Sequence, residues 1–563
     1  MKRFLLIVLF IKIGFAYSQN IKYIVKDSTT KEVLPFANIL YANKKEGTIS
    51  NRNGEFIVSN SRVSFWLSYL GYKTKKVIVN KNRHFVTIYL SKNAEELDEV
   101  CIASFSQKDL ANIIRKSLKN RKRHRKKLNT ASKTFIKLYS ETDNQAIEYS
   151  EGFYRQECDY KGINKIFLKN GKYYFSRNNN TFYSINFITQ LLSNIDIIGF
   201  DNAILGAISP LNMKSKNSML RFYKLSTNSL IANVLNIQFQ SKLNKKDKGN
   251  IYINIKENRL IKLQISKELK SNDVFISLNK NKKIKNVQIN LTFKYNRNET
   301  LNFITGTSAF DYYGSNSTKH IKTYFASKAY DYKKPFQKLY NLNYSQFDDY
   351  ELMRLIKINP IFWKDISVIK KTQKEQSFVQ KMIFKENFQN LVIDSSFVVN
   401  QNLLLPYIPP QKISRVYRLH YNNSREDITI TDVKGNPFFN LEIRFIANIF
   451  QLKDTLTYDV YPIIDYHNSY SLLPNKTKEA EVSKKLLDLA NNYNFKLQKK
   501  IATELKSPEA NSETIKTLLN TTQKYFNYAK EDLLSGLSEQ DTTLQKRTYP
   551  KSSRERLKEL FEK

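Results

Sequence analysis

The sequence predicts a mainly β, multidomain protein: an N-terminal β-sandwich, a larger antiparallel β-sheet domain curved toward a half-barrel, and a C-terminal α-helical hairpin. Three observations carry this. Residues 21–90 hold short β-branched and aromatic runs, with turn signals at roughly ten-residue spacing. Residues 133–332 hold longer runs in which apolar and polar residues alternate. Beyond Pro474 the apolar spacing changes to three and four, the period of a helix face.

The chain opens with Lys2 and Arg3, an apolar run from Phe4 to Ala16, and small residues at Ala16 and Ser18. That is the pattern of a secretory signal peptide, so residues 1–18 are set apart from the fold and the mature chain is expected in the periplasm or at the outer membrane. No later run reaches 18 uninterrupted apolar residues. The best, residues 185–208, is broken by Asn194, Asp196, Asp201 and Asn202 and reads as core, with a helix expected across the sheet at 186–206.

Residues 19–98 form the expected sandwich. "FANILY" and "FVTIYL" read as strands, and "GTISNRNGEFIV" as a hairpin whose Asn53-Gly54 takes φ > 0 at both positions, as a type I′ turn requires. Phe56 and Trp66 are expected between the two sheets, and Gly71 is expected to break a strand so that Tyr72 turns the corner. Asp27, Leu34 to Asn38, Gly47-Thr48, Asn53 to Phe56 and Ser68 to Tyr72 stand in an order that resembles the carboxypeptidase-like regulatory domain of exported Bacteroidetes proteins. The resemblance implies a transthyretin-like β-sandwich with no peptidase activity of its own.

Next comes "EELDEVCIAS". Leu97, Asp98, Glu99, Val100 and Ile102 resemble the segment through which outer-membrane receptors contact TonB, a contact made by adding a strand to the partner's sheet edge. A receptor also needs a plug and a barrel of about 22 strands, at roughly 10 residues each plus loops. The chain has 14 glycines and a charged, helical C-terminus. The segment is therefore read as the closing piece of the first domain, with a retained TonB contact as the alternative.

The formal net charge is +41, and Lys and Asn are abundant throughout. An exported chain rarely meets nucleic acid, so none is expected as a partner. The excess is spread along the chain except for one cluster within residues 99–132, an expected basic helical linker, in which Lys116, Lys119, Arg121, Lys122, Arg123, Arg125, Lys126 and Lys127 stand without an acid among them. These are candidates for contact with anionic lipid or polysaccharide; a solvated helix end is the plain alternative. Two cysteines, Cys101 and Cys158, allow one disulfide, which nothing in their spacing requires.

Residues 133–345 are read as one antiparallel domain. Ile251, Ile253 and Ile255 alternate with Tyr252 and Asn254; after a turn at Glu257-Asn258, Ile261, Leu263 and Ile265 alternate with Lys262, Gln264 and Ser266. One face is apolar and one wet. The stretch from Asn286 to Tyr313 repeats the pattern about a turn at Asn296 to Glu299. These strands are similar to the open half-barrels of periplasmic lipoprotein carriers, which implies a fold able to cup an apolar ligand; an ordinary filled core explains the same apolar face. Residues 346–395 are read as helical, with Asp348 or Asp349 capping, Leu352, Leu355 and Ile356 inward, Pro360 as the stop and Trp363 as a packing anchor. Residues 396–475 are mixed β behind a Pro-rich stretch, and 476–563 are helical. One stripe runs through Leu486, Leu489, Ala490, Tyr493 and Leu497, and a second through Ile515, Leu518, Leu519, Phe526, Ala529, Leu533 and Leu534.

Catalytic patterns are lacking. The five histidines are isolated, with no H-E-x-x-H spacing for zinc. There is no phosphate-binding glycine loop and no G-x-S-x-G elbow. No cofactor and no catalytic residue is nominated. The expectation is a non-enzymatic envelope protein that binds or assembles at the periplasm or outer membrane, with an envelope protein as partner. The alternatives are a carrier of an apolar ligand in the middle domain, favoured by a deep apolar cavity, and a hydrolase of an envelope polymer, favoured by convergent Asp, Glu or His in a cleft.

Overall fold

The computed structural model describes residues 20–42, 47–59, 61–93, 105–125, 130–175, 208–231, 233–269, 283–313, 318–342, 368–385, 391–394, 397–399, 439–452, 455–465, 469–471, 476–507 and 511–535, with isolated positions at 192, 198, 349, 352, 353, 356, 358, 359 and 363. The leader, the TonB-like segment, nearly all of 186–206, the Pro-rich stretch and the C-terminus beyond 535 lie outside them. So do Cys101, Lys126, Lys127, Asp348, Leu355 and Pro360. The chain forms two compact units: residues 1–336 with 358–385, and residues 337–357 with 386–563.

The first unit begins with β1 (Ile21–Asp27), β2 (Asn38–Tyr41), β3 (Gly47–Ile49), β4 (Glu55–Val58), β5 (Ser64–Ser68), β6 (Lys75–Ile78) and β7 (Phe85–Leu90). They make a three-stranded sheet, β4-β1-β7, facing a four-stranded one, β3-β2-β5-β6. Tyr23, Phe56 and Phe65 meet between the sheets with ring centres 5.2–5.5 Å apart. Two expectations are corrected here. β3 and β4 are not a hairpin: β3 pairs with β2 and β4 with β1, so the loop carries the chain from one sheet to the other. Gly54 has φ +72 but Asn53 is not in the positive region. The turn is organised by Asn51, whose Oδ1 accepts from the amides of Asn53 and Glu55 at 2.9 Å each. The core aromatic of β5 is Phe65, fully buried, and not Trp66, which is half-buried one residue along and therefore on the outer face. The corner is as read: Gly71 has φ +86, and the Tyr72 hydroxyl donates to Asp27.

Helix α1 (Gln107–Arg125) follows. It buries Leu110, Ala111, Ile114 and Leu118, so this span is a packed element and more than a linker. Ten long strands then form one antiparallel sheet: β8 (Thr130–Thr142), β9 (Gln145–Cys158), β10 (Ile163–Phe175), β11 (Tyr223–Ile231), β12 (Val234–Ser241), β13 (Lys248–Asn254), β14 (Arg259–Leu269), β15 (Lys283–Tyr295), β16 (Leu301–Tyr313) and β17 (Thr318–Asp331). The order is β10-β9-β8-β17-β16-β15-β14-β13-β12-β11. Its two edges, β10 and β11, do not pair, so the sheet is open, not a closed barrel. Helix α2 (Lys216–Phe222) precedes β11 and touches α1.

The sheet has two unlike faces. One carries Leu235, Ile237, Ile251, Ile253, Leu263, Ile265, Leu291, Phe293 and Ile304, all buried. Helix α1 lies on this side, where Arg121 stacks over Tyr295. At Gly306 a Cβ would stand 2.5 Å from the Phe325 ring and 2.7 Å from Leu291, so glycine is what lets those two side chains meet. A bulge between Tyr252 and Ile253 sets Leu260, not Ile261, opposite Ile253. Helix α3 (Gln373–Lys385) closes the unit and packs on β9 and β10. The Thr372 amide donates to Glu375 and the Glu375 amide to the Thr372 hydroxyl, a capping box at its start.

In the second unit β18 (Leu391–Asp394) pairs with β19 (Phe397–Val399), and β20 (Phe439–Asn440) with β23 (Tyr470–Ser471). Its core is the hairpin β21 (Ile443–Leu452) and β22 (Thr455–Ile464) under α4 (Lys476–Glu504) and α5 (Ser512–Ser535). Leu486, Ala490 and Leu497 of one expected stripe are buried, as are Ile515, Leu519, Phe526 and Leu534 of the other. Phe526 meets Phe445 and Tyr493 edge-on, at 5.3 and 5.9 Å. Among the described residues no helix is long and apolar enough to cross a membrane.

Candidate binding site

The other face of the ten-stranded sheet is polar and partly covered, with Gln238, Lys248 and Asn290 still exposed. Strand register lines its side chains into three adjacent rows. The first runs Asn236, Tyr252, Lys262, Lys294, Phe303, Lys328. The second runs Gln238, Asn250, Gln264, Thr292, Thr305, Ala326, Lys137. The third runs Lys248, Ser266, Asn290, Thr307, Tyr324, Tyr139.

The N-terminal sandwich roofs these rows. The Arg52 guanidinium lies between two sheet tyrosines, 4.8 Å from the ring centre of Tyr139 and 4.5 Å from that of Tyr324. Lys328 Nζ donates to Asn302 and, at 3.4 Å, to Asn38 of the sandwich. The Thr48 hydroxyl donates to the Val368 carbonyl, and Lys370 reaches Glu55 at 3.6 Å. At the β8 end a buried pair, Lys137 to Glu375 at 2.8 Å, ties the sheet to α3.

Two cavities remain between roof and sheet, of about 570 and 650 Å³. Pro35, Phe36, Gln264, Thr292 and Thr305 line both. The larger is closed by the corner residues Tyr69 to Tyr72 and floored by Asn236, Tyr252, Lys262 and Lys294. The smaller extends toward Arg52, Lys137, Asn290, Thr307 and Glu375.

The lysines of the first row are held in an unusual state. Burial lowers Lys262 to about 8 from the ordinary 10.5. Burial and the adjacent Lys262 do the same to Lys294. Burial and Lys294 push Lys328 down to about 7. Each shift reflects the cost of a charge away from water with no carboxylate to offset it. Lys262 sits over the Tyr252 ring at 4.7 Å and Lys294 over Phe303 at 5.5 Å.

Residues 24–102 match the family model of the CarboxypepD_reg-like domain. This domain therefore supplies the roof: its loops bring Phe36, Arg52 and the corner tyrosines to the sheet. No curated protein matches the chain. Among solved structures, the MucA/MucB complex of Pseudomonas aeruginosa is similar at 6% identity, covering 38% of this chain and 93% of that one, with a TM-score of 0.14. A LolA superfamily protein of Nitrosomonas europaea is similar at 10% identity over 39% of this chain and 97% of its own, also with a TM-score of 0.14.

The residues nominated from sequence lie elsewhere. Lys116, Lys119, Lys122 and Arg123 are exposed on α1, and Arg125 ends that helix. Arg121 is corrected: it is 3% exposed, with Nε donating to the Tyr160 carbonyl and Nη1 to the Glu299 carbonyl, both at 3.0 Å. A guanidinium spent on two buried carbonyls cannot meet a lipid surface. Lys126, Lys127 and the TonB-like residues lie outside the described residues. Trp363 packs on Phe153 at 4.8 Å, and its indole donates to Asn170 at 2.6 Å.

Proposed function

We propose that this protein is a non-enzymatic binding protein of the cell envelope, and that its ligand lies in the polar space between the CarboxypepD_reg-like domain and the ten-stranded sheet. The observation that carries the reading is the pair of cavities, lined by amides, hydroxyls and ammonium groups from five or more strands. Such convergent polar groups in a preformed cleft are the usual mark of a ligand site. The Lys2-Arg3 leader pattern supports export.

The chemistry of the lining bears on both alternatives. The sheet's apolar face is filled by buried side chains and α1, so it offers no cup; the space lies over the polar face, with Pro35, Phe36, Tyr69 and Leu70 of the sandwich supplying apolar surface opposite, which suits a ligand that has both a polar and an apolar part. A hydrolase needs a nucleophile or a base. Glu375 is the one carboxylate among the cavity-lining residues, and Lys137 holds it at 2.8 Å; the lowered lysines Lys262 and Lys294 are the groups of base character that a hydrolase reading would have to use.

Native mass spectrometry of the full chain isolated from its own envelope tests this. A small polar ligand should accompany the protein and be lost from Thr292→Trp, which fills the space common to both cavities. A ligand retained unchanged by that variant would place binding elsewhere.

A further inference from the structure

We infer that Lys262 and Lys294 form a subsite for a phosphate monoester, so that the ligand of the proposed cavity carries a phosphoryl group; the inference rests on the binding reading above. The two lysines stand opposite one another on neighbouring strands β14 and β15, which puts their Cβ atoms about 5 Å apart on one face. Both line the larger cavity. Neither has an ion pair or hydrogen bond among the described residues; each has only an aromatic ring beneath it.

The groups that face them leave the charge uncompensated. From the sandwich come Tyr69 and Tyr72, both pushed up and neutral at ordinary pH, with the nearby Asp27 already accepting from the Tyr72 hydroxyl. From the sheet come Tyr252, also raised, and Lys328, which at about 7 is roughly half charged at neutral pH. Two adjacent ammonium groups lining one cavity, with no carboxylate between them, call for a ligand carrying close to two negative charges. A phosphate monoester has about that charge at neutral pH, with three acceptor oxygens. A carboxylate would neutralise one lysine and leave the other. Lysine is a phosphate binder as a point charge. Nearby, Tyr252 donates to Gln264 Oε1 at 2.9 Å, which leaves the Gln264 amide nitrogen as a further donor beside the pair.

Calorimetric titration of the full chain with inorganic phosphate, glycerol 3-phosphate and dihexanoyl phosphatidic acid tests the subsite, with acetate as the control. Glycerol 3-phosphate is almost wholly dianionic at both pH 7.5 and pH 9.5, so for that probe the lysines are what changes between them, whereas inorganic phosphate also gains dianion over the range. The phosphoryl probes should bind at pH 7.5, at least about tenfold tighter than acetate, and weaken at pH 9.5. Lys262→Gln and Lys294→Gln should each weaken them at least about tenfold while leaving the melting temperature unchanged or raised, since neither lysine has an ion pair or hydrogen bond to lose and the burial cost each relieves exceeds its ring contact. Equal affinity for all three probes points to free phosphate, and tighter ester binding to a phosphorylated ligand; both uphold the subsite. Failure of all three probes to bind, or binding indifferent to the substitutions or to pH, overturns it. Ligand loss from Thr292→Trp alongside that failure would leave the cavity reading standing and remove the phosphate.

Discussion

Lys294→Met should stabilise this protein at neutral pH. Burial and Lys262 hold the folded-state value near 8 against 10.5. The unfolded chain keeps its proton up to about 10.5, while the folded chain begins to lose it near 8. The unfolded state therefore binds more protons between those values, and stability climbs with pH across that window. Below about pH 8 the full cost of the buried charge is present. At about 1.4 kcal/mol per pH unit that cost is about 3 kcal/mol. Methionine keeps most of the volume but gives up the contact with the Phe303 ring, worth about 0.5–1 kcal/mol. The net gain expected at pH 7 is about 2 kcal/mol. Differential scanning calorimetry of the full chain should show the transition of the first unit moving up in Lys294→Met at pH 7, with most of the gap gone by pH 10. A variant less stable than the parent at pH 7, or a gap that ignores pH, would refute the description of Lys294 as an uncompensated buried cation.

Further consequences follow from single contacts. Arg121→Gln should cost about 2 kcal/mol or more, because two buried carbonyls lose their donor, whereas Lys122→Gln on the exposed side of α1 should change stability by less than about 0.5 kcal/mol; urea denaturation compares them. Gly306→Ala should destabilise by about 1–3 kcal/mol through overpacking against Phe325 and Leu291, read as a lower melting temperature. Asp27 is held at about 2 against 3.8, first by the Tyr72 hydroxyl and then by backbone amides. Its contribution is present above about pH 4 and lost as pH falls toward 2, so Asp27→Asn should flatten the acid limb of the melting curve, and an unchanged limb would discount that bond.

Much of the fold could be read from side-chain periodicity, and the site could not. The alternation about Tyr252, Lys262, Gln264 and Ser266 marked a polar face correctly, because a strand's period of two is a local property. That this face is roofed depends on Arg52 reaching Tyr139 and Tyr324, contacts between residues far apart in sequence that no local pattern encodes. The same limit explains the first domain. Asn53-Gly54 is a strong hairpin signal, yet the pairing partners of β3 and β4 are set by the two-sheet core, and the Asn51 side chain serves a turn between sheets equally well. Arg121 looked like one basic residue among many, and only the buried carbonyls of Tyr160 and Glu299 distinguish it. The lysine row carried one usable signal, a cation at the same polar position of successive strands at Lys262 and Lys294; a strand register would have been needed to see that they are neighbours.

The central claim is that ligand occupies the roofed polar face. Photo-crosslinking tests it most directly: photo-leucine at Thr292, whose small diazirine side chain leaves the shared space open, is compared with the same group at Leu243, 81% exposed on a loop. The full chain is irradiated in its own envelope, and adducts are mapped by peptide mass. A discrete small-molecule adduct at position 292 and none at 243 is the predicted result. The same adduct at both positions, or at 243 alone, would contradict the account.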